Sequence, residues 1–357
     1  MKSAKLSSAG VMNNCNKCLR IAETIPIAAQ TLEELTNPQP TPYFPIAPIA
    51  LSPIALFKSV LLPYSALMPM IIASASSPTT QRSVQPSPQR AASQRASFRV
   101  LQLTDTHLFA QAQETLLGLP TQTCLQRIID RILKQPQLPD FIVLTGDLSQ
   151  DGRAESYANL STLLEPLGLP IYWLPGNHDC VETMTRSLQA PIFTPDKLFQ
   201  HQGWQFILLN SQIPGDVPGR LSAEVLDALT HQLATGPKTP TMLALHHPPI
   251  TLQSAWLDSS ALENPDELFA VLDRFSHVKL VLFGHIHQEI SIVRKGVTYL
   301  SCPSTCIQFD RHSDTFALDV DHNPGFRELE LYSDGTWTSQ VHRVDVELKP
   351  DLSSTGY

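Results

Sequence analysis

The sequence predicts an α/β or α+β sandwich, sheet inside and helices outside, folded as one domain over residues 97–357. Three observations predict it. Short apolar runs of strand length alternate with segments whose apolar residues recur at helical spacing. Five of the apolar runs end in a loop bearing Asp, Asn or His, and open α/β sheets gather their sites at such strand ends. The chain closes with strands and no further helix, so the order is not purely alternating.

Taken in order, Phe98–Leu103 reads as a buried strand leading into Asp105-Thr106-His107. Leu125, Ile128, Ile129 and Ile132 give Cys124–Leu133 a helical period, and Pro136 with Pro139 closes that helix. Phe141–Thr145 is a second predicted strand, stopping at Gly146-Asp147. A predicted helix, Ala154–Leu164, and strand, Ile171–Leu174, then lead into Pro175-Gly176-Asn177-His178-Asp179. Trp204–Leu209 is a further predicted strand. Ser222–Leu233 is a predicted helix with Ser222 as N-cap and acidic Glu224 and Asp227 near its positive end. Thr241–Leu245 leads into His246-His247-Pro248-Pro249. Pro265–Phe275 reads as a helix whose first turn takes Pro265 without losing a bond, and Val278–Phe283 leads into Gly284-His285-Ile286-His287. Predicted strands Ile290–Arg294, Thr298–Ser301, Glu328–Tyr332 and Thr336–Val344 finish the chain, the last two turning at Asp334-Gly335.

Residues 1–96 are a different kind of sequence. Proline recurs at Pro26, Pro38, Pro40, Pro42, Pro45, Pro48, Pro53, Pro63 and Pro69, removing backbone donors and disfavouring helix before each ring. Residues 73–97 are rich in Ser, Gln, Pro and Arg, a linker composition. The region is read as a mostly disordered N-terminal extension. Lys58–Ala75 ends in Ala73-Ser74-Ala75 like a signal-peptide cleavage site, but it lies deep in the chain and is broken by Pro63 and Pro69, so export is not expected. A translation start near Met68 or Met70 is the alternative. No apolar run approaches the ~20 residues a membrane helix needs.

The 357 residues are 42% hydrophobic, a globular composition, and carry a formal charge of −8 with 12 histidines. Neither nucleic acid nor a membrane surface is an expected partner, because both call for a basic face. The six cysteines, Cys15, Cys18, Cys124, Cys180, Cys302 and Cys306, make no dense disulfide framework. Cys15-Asn-Lys-Cys18 lacks the partners of a zinc or redox site, so reduced thiols and a cytoplasmic location are expected.

The strand-end loops together supply Asp105, His107, Asp147, Asn177, His178, His246, His285 and His287. Each motif alone has a plainer reading: a capping or surface role for Asp105-Thr106-His107, a turn for Gly146-Asp147, satisfied loop histidines for His246-His247. Five in order at strand ends point instead to a metal centre. Carboxylates, an amide and imidazoles without a thiolate suit Mn²⁺, Fe²⁺ or Zn²⁺ better than Ca²⁺ or a structural zinc. The donors are too many for one ion, and two ions sharing one carboxylate would use them all. Such a pair, about 3.5–4 Å apart, polarises phosphoryl oxygens and makes a bridging hydroxide available for in-line attack on phosphorus. A histidine off the metals can protonate the leaving oxygen. That is the chemistry of phosphoester hydrolysis.

On these residues the chain resembles the calcineurin-like metallophosphoesterase superfamily over roughly residues 98–345. More narrowly it resembles the bacterial class III 3′,5′-cyclic-AMP phosphodiesterases of the CpdA type. The phrases that carry this are Leu101-Gln102-Leu103-Thr104-Asp105-Thr106-His107-Leu108-Phe109, Trp173-Leu174-Pro175-Gly176-Asn177-His178-Asp179, Trp256-Leu257-Asp258, Gly284-His285-Ile286-His287-Gln288-Glu289 and Pro303-Ser304-Thr305-Cys306-Ile307-Gln308-Phe309. The resemblance implies a four-layered α/β/β/α sandwich, two divalent ions (Fe²⁺ or Mn²⁺, with Zn²⁺ a third candidate) and hydrolysis of cyclic AMP to 5′-AMP. It implies one ion on Asp105, His107 and His287, the other on Asn177, His246 and His285, and Asp147 between them. His178 would stay off the metals and face the phosphate and leaving oxygen, with His107, Asp147, Asn177, His246 and His287 also lining the substrate site. The N-terminal extension departs from the family pattern.

His247 is read as orienting a ligand from behind, with a solvated ring as the alternative. Trp256 and Asp258 are candidates to line the nucleotide pocket, against plain packing for the tryptophan. Cys302 and Cys306 are expected to be small buried residues. Two other functions share the same motifs: hydrolysis of a different phosphoester (a monoester, a pyrophosphate-linked substrate or a nucleic acid), and a non-catalytic scaffold. The complete donor set opposes the scaffold. Oligomeric state is not legible in the sequence.

Overall fold

Along the first strand Phe98 and Val100 point to one side, Leu101 and Leu103 to the other, and all four are buried. A strand apolar on both faces must lie between two packed layers. The computed structural model describes residues 96–347 and 349–351. The expectations for the N-terminal extension, including the Cys15–Cys18 pair and the Lys58–Ala75 stretch, fall outside the described residues.

The elements run β1 (Ser97–Leu103), β2 (Thr115–Leu116), β3 (Leu119–Pro120), α1 (Thr121–Leu133), β4 (Phe141–Thr145), α2 (Ala154–Leu164), β5 (Ile171–Leu174), α3 (Val181–Ser187), β6 (Phe193–Thr194), β7 (Leu198–His201) and β8 (Trp204–Leu208). They continue with α4 (Ala223–Thr235), β9 (Thr241–Ala244), α5 (Ala255–Asp258), α6 (Pro265–Leu272), β10 (Val278–Phe283), β11 (Ile290–Arg294), β12 (Val297–Ser301), β13 (Gly325–Tyr332) and β14 (Trp337–Arg343). Two six-stranded sheets result, in the orders β14-β13-β1-β4-β5-β6 and β11-β12-β10-β9-β8-β7. The strands that carry the motif loops, β1, β4 and β5 in one sheet and β9 and β10 in the other, are parallel to their neighbours in that set.

Three apolar cores make the four layers. Phe98, Val100, Phe141, Val143, Phe206, Met242, Leu280 and Leu282 pack between the sheets. Leu101, Leu103, Ile142 and Leu144, the alternate residues of the first sheet, pack against Leu125, Ile128, Ile129 and Ile132 of α1 and Tyr157, Leu160 and Leu164 of α2. Leu243, Val281 and Phe283 of the second sheet pack against Leu226, Leu229 and Leu233 of α4 and Leu268 and Leu272 of α6. The expected α/β/β/α sandwich is the observed one. Each such side chain contributes about 1.5–3 kcal/mol by leaving water.

Boundaries shift where local signals were weak. The first helix starts at Thr121, a turn before Cys124, because its opening turn buries Thr121 rather than an aliphatic residue. Ser222 caps α4 as expected, its Oγ accepting from Val225 N at 3.3 Å. The helix after Asn264 stops at Leu272, with Arg274 and Phe275 continuing only as turns. No helix among the described residues is long and apolar enough to cross a membrane.

Candidate metal centre

Gln102 ties the two sheets together directly beneath the motif loops. Its Nε2 donates to Thr145 Oγ1 at 3.0 Å and to the Phe283 carbonyl at 2.9 Å, joining the ends of β1, β4 and β10. Above it the loops after β1 and β4 run side by side, with Asp105 N donating to Gly146 O and His107 N to Asp147 O, both at 3.0 Å. Both carboxylate oxygens of Asp105 accept from His285 N at 3.1 Å, so a residue of the first sheet clamps a loop of the second.

The turns are sharp. Asp105, His107, Asp147, His285 and His287 have φ of 54°, 44°, 50°, 72° and 50°, half of the ten non-glycine positive-φ residues described. An L residue pays ~1–2 kcal/mol for the left-handed region, and strain of this kind collects where surrounding structure holds it for a purpose. Close approach also explains two glycines. A Cβ on Gly284 would collide with Thr104 Oγ1, and one on Gly176 would overlap Asp147 Oδ1 and come within 2.7 Å of His246 Cε1.

Each imidazole is held from outside by one nitrogen. His107 Nδ1 meets Gln150 Oε1 at 2.6 Å, His246 Nδ1 the Thr145 carbonyl at 2.7 Å and His287 Nδ1 the Ile307 carbonyl at 3.0 Å. Carbonyl oxygens only accept, so these Nδ1 atoms carry a proton, and each ring presents Nε2 inward. The inward atoms converge: His107 Nε2 and His287 Nε2 are 3.1 Å apart, and His246 Nε2 lies 3.2 Å from Asn177 Oδ1 and 3.2 Å from His285 Nδ1. Asp147 stands between the groups, its Oδ2 3.2 Å from His246 Nε2 and 3.9 Å from His107 Nε2. That oxygen is buried and faces these inward ring nitrogens, while Oδ1 accepts from His178 N at 2.9 Å.

Electrostatics fit a cation. Burial pushes the His107 imidazole down to about 3, and burial with the nearby His247 and His246 holds His285 well below the usual range. Both are neutral, ligand-ready rings. Burial opposes charge on Asp147, yet His246, His178 and His107 around it keep its carboxyl well below the usual range. Burial likewise opposes a charged His246, but Asp147 carries it up to about 9. Without a metal ion, a proton on His246 balances the carboxylate, and binding an ion would release it. Asp105, His107 and His287 offer atoms within 4.8 Å of one another, as do Asp105, Asp147 and His246, and His107, Asp147 and His178. A buried carboxylate oxygen among inward-facing nitrogens, with no thiolate among these groups, matches divalent metal chemistry.

The structure brings together Asp105, His107, Asp147, Asn177, His178, His246, His285 and His287. His178 is half-buried with its ring edge-on to His107, centroids 5.0 Å apart. His247 packs against His246 and His285, but its Nδ1 pairs with Ser211 Oγ at 2.8 Å and its Nε2 with the Val217 carbonyl at 3.1 Å. With both nitrogens engaged it braces its neighbours. Asp258 spends its carboxylate on Leu252 N and Gln253 N, at 2.7 and 3.1 Å, fixing a loop. Trp256 packs edge-on against Phe309, and Phe309 stacks on His287 with centroids 4.1 Å apart.

Sequence reasoning missed Gln150 and the work of Asp179. The Asp179 carboxylate accepts from Gly176 N, Leu148 N, Ser149 N and Tyr157 Oη at 2.9–3.1 Å, binding the Gly146-Asp147 loop to the Gly176-Asn177-His178 loop. Burial and the charge of Asp147 push its carboxyl up to about 7 against those donors. Its place in the Gly-Asn-His-Asp phrase was the available signal.

Comparison with known proteins places this architecture. Residues 98–289 match the family described as Calcineurin-like phosphoesterase. The chain is 48% identical over 250 residues to a protein of Nostoc sp. named 3′,5′-cyclic-nucleotide phosphodiesterase, covering 70% of this chain and 93% of that one. It is 44% identical over 264 residues to the 3′,5′-cyclic adenosine monophosphate phosphodiesterase CpdA of Escherichia coli, and 40% identical over 263 residues to that of Vibrio vulnificus, each covering 73% of this chain and 96% of the relative. The chain therefore belongs to the calcineurin-like phosphoesterase family, beside relatives named as CpdA-type cyclic-nucleotide phosphodiesterases.

Proposed function

We propose that residues 97–357 form a phosphodiesterase that hydrolyses 3′,5′-cyclic AMP to 5′-AMP at a centre for two divalent cations. The observation that supports this best is Asp147, whose buried Oδ2 lies 3.2 Å from His246 Nε2 and 3.9 Å from His107 Nε2, between the two groups of inward donors. Asp105, His107 and His287 would hold one ion, and Asn177, His246 and His285 the other, with Asp147 shared. When bound, two such ions supply charge for the phosphoryl oxygens and water acidified enough to yield hydroxide near neutral pH. Forming 5′-AMP breaks the bond between phosphorus and O3′, and O3′ then needs a proton. His178 has the position for it, half-buried beside His107 and anchored through its backbone to Asp147.

The substrate class follows the relatives named as cyclic-nucleotide phosphodiesterases, which this chain matches over 93–96% of their length. Fe²⁺ or Mn²⁺ is the proposed metal and Zn²⁺ the alternative. A cytoplasmic location belongs to the same reading, and the described cysteines, Cys124, Cys180, Cys302 and Cys306, are all free. The test is product analysis by chromatography after incubating cyclic AMP with purified protein and Mn²⁺. 5′-AMP is expected, abolished by a chelator. Formation of 3′-AMP, or no turnover beside fast cleavage of a monoester or pyrophosphate, contradicts the reading.

A further inference from the structure

His285 is held differently from the other three inward imidazoles. His107, His246 and His287 present Nε2 and are fixed through Nδ1, whereas His285 presents Nδ1, 3.2 Å from His246 Nε2, and turns Nε2 outward. There Nε2 meets Ser260 Oγ at 2.9 Å. The Ser260 hydroxyl donates its one proton to the Leu257 carbonyl at 3.0 Å, so toward His285 it can only accept. The imidazole must therefore carry its hydrogen on Nε2, which makes Nδ1 the atom able to bind an ion.

We propose that Ser260 is a positioning residue of the metal centre, selecting the His285 tautomer that aims Nδ1 at a cation and coupling that ligand to the segment bearing Trp256. The coupling is physical. Leu257 lies in α5, whose start is tied to a second loop by Ser254 Oγ donating to Ser313 O at 2.6 Å and Ala255 N to Asp314 Oδ1 at 3.2 Å. Trp256, one residue before Leu257, packs edge-on against Phe316 of that second loop, and Phe316 is a large apolar side chain left 47% exposed. Two segments that meet where half-buried Trp256 packs on exposed Phe316 thus share a support with one ligand. A ligand to the shared carboxylate's other side, His287, is supported instead by the Ile307 backbone.

The inference rests on the reading that His285 ligates a cation, and its test does not use cyclic AMP. Metal-stripped full-length protein is titrated with Mn²⁺, counting free ion by electron paramagnetic resonance. The wild type is expected to take two ions. Ser260→Ala should weaken one of them about 10–100-fold, the usual cost of losing a group that orients a ligand, and leave the other unchanged. Ser260→Thr, which keeps the hydroxyl, should restore it, and Ser259→Ala should change nothing. Equal affinities in wild type and Ser260→Ala overturn the inference while the dinuclear reading stands, whereas a wild type that binds no Mn²⁺ overturns both. A second measurement needs no Ser260 variant. Nitrogen NMR of the ¹⁵N-histidine-labelled, metal-free wild type, with His285 signals assigned by their loss in His285→Gln, should show the hydrogen on Nε2. A hydrogen on Nδ1 overturns the inference.

Discussion

The backbone N–H of His178 donates to Oδ1 of Asp147 at 2.9 Å, so the residue proposed to move a proton and the carboxylate that lies between two donor groups are fixed to each other. The same carboxylate turns its other oxygen to His246. On the proposed reading, one aspartate therefore sets both where cations would sit and where His178, the proposed proton donor, stands relative to them.

Asp147→Asn should lose metal and activity together. Removing a group that merely orients a ligand costs ~10–100-fold, and removing the shared ligand should cost more, on the order of 10²-fold or greater in affinity for Mn²⁺. Titration of the variant with Mn²⁺ alongside turnover checks this, and activity lost with both ions retained would speak against a shared ligand.

His178→Ala should behave in the opposite way. Both ions stay, because its ring is not needed to hold them, while turnover falls ~10²–10⁴-fold as for a lost general acid. The loss should be smaller for a phosphodiester with a good leaving group such as p-nitrophenolate, which departs without a proton. Metal loss in this variant would contradict its place.

Gly176→Ala should destabilise the protein. The added Cβ would overlap Asp147 Oδ1 and come within 2.5 Å of Asp147 N, and overpacking of this kind costs about 1–3 kcal/mol. Because the displaced groups belong to the metal centre, the rise in melting temperature on adding Mn²⁺ should shrink as well. Calorimetry with and without the ion measures both.

Lys197 gives a pH dependence separate from the metal centre. Its Nζ lies 3.3 Å over the Trp173 ring and donates to the Trp173 carbonyl, and burial, opposed by Asp196, brings its amine down from 10.5 to about 8. Between these values the folded protein binds fewer protons than the unfolded chain, so stability should rise with pH from 8 to 10.5 and the burial penalty should be fully present below 8. Urea unfolding of wild type and Lys197→Met across that range should show the difference moving in favour of wild type as pH rises. Trp173 fluorescence should titrate near pH 8 and lose that step in the variant.

The strand ends and their polar loops were legible in the sequence because both signals are local. An apolar run followed by Gly-Asp or Gly-Asn-His can be read within a few residues, and all eight side chains collected that way meet in the structure. The supports were not legible. Gln150 and Ser260 are unremarkable in sequence and matter only through His107 and His285, and the Thr145 carbonyl holds a histidine 101 positions away. Asp258 was singled out with Trp256 and Leu257 as one phrase, and no local signal showed that its carboxylate, at the end of a four-residue helix, accepts from the amides of Leu252 and Gln253. Elements of two to four residues, such as β6, β7 and α5, are too short to show a period.

The proposed activity requires seven side chains, Asp147 among them, to hold a pair of cations. Elemental analysis of active, extensively dialysed protein, normalised to chain concentration, tests that most directly. Two divalent ions per chain, falling together with activity on treatment with a chelator and returning together with Mn²⁺, is the predicted result. Full activity with one ion per chain or none would contradict it.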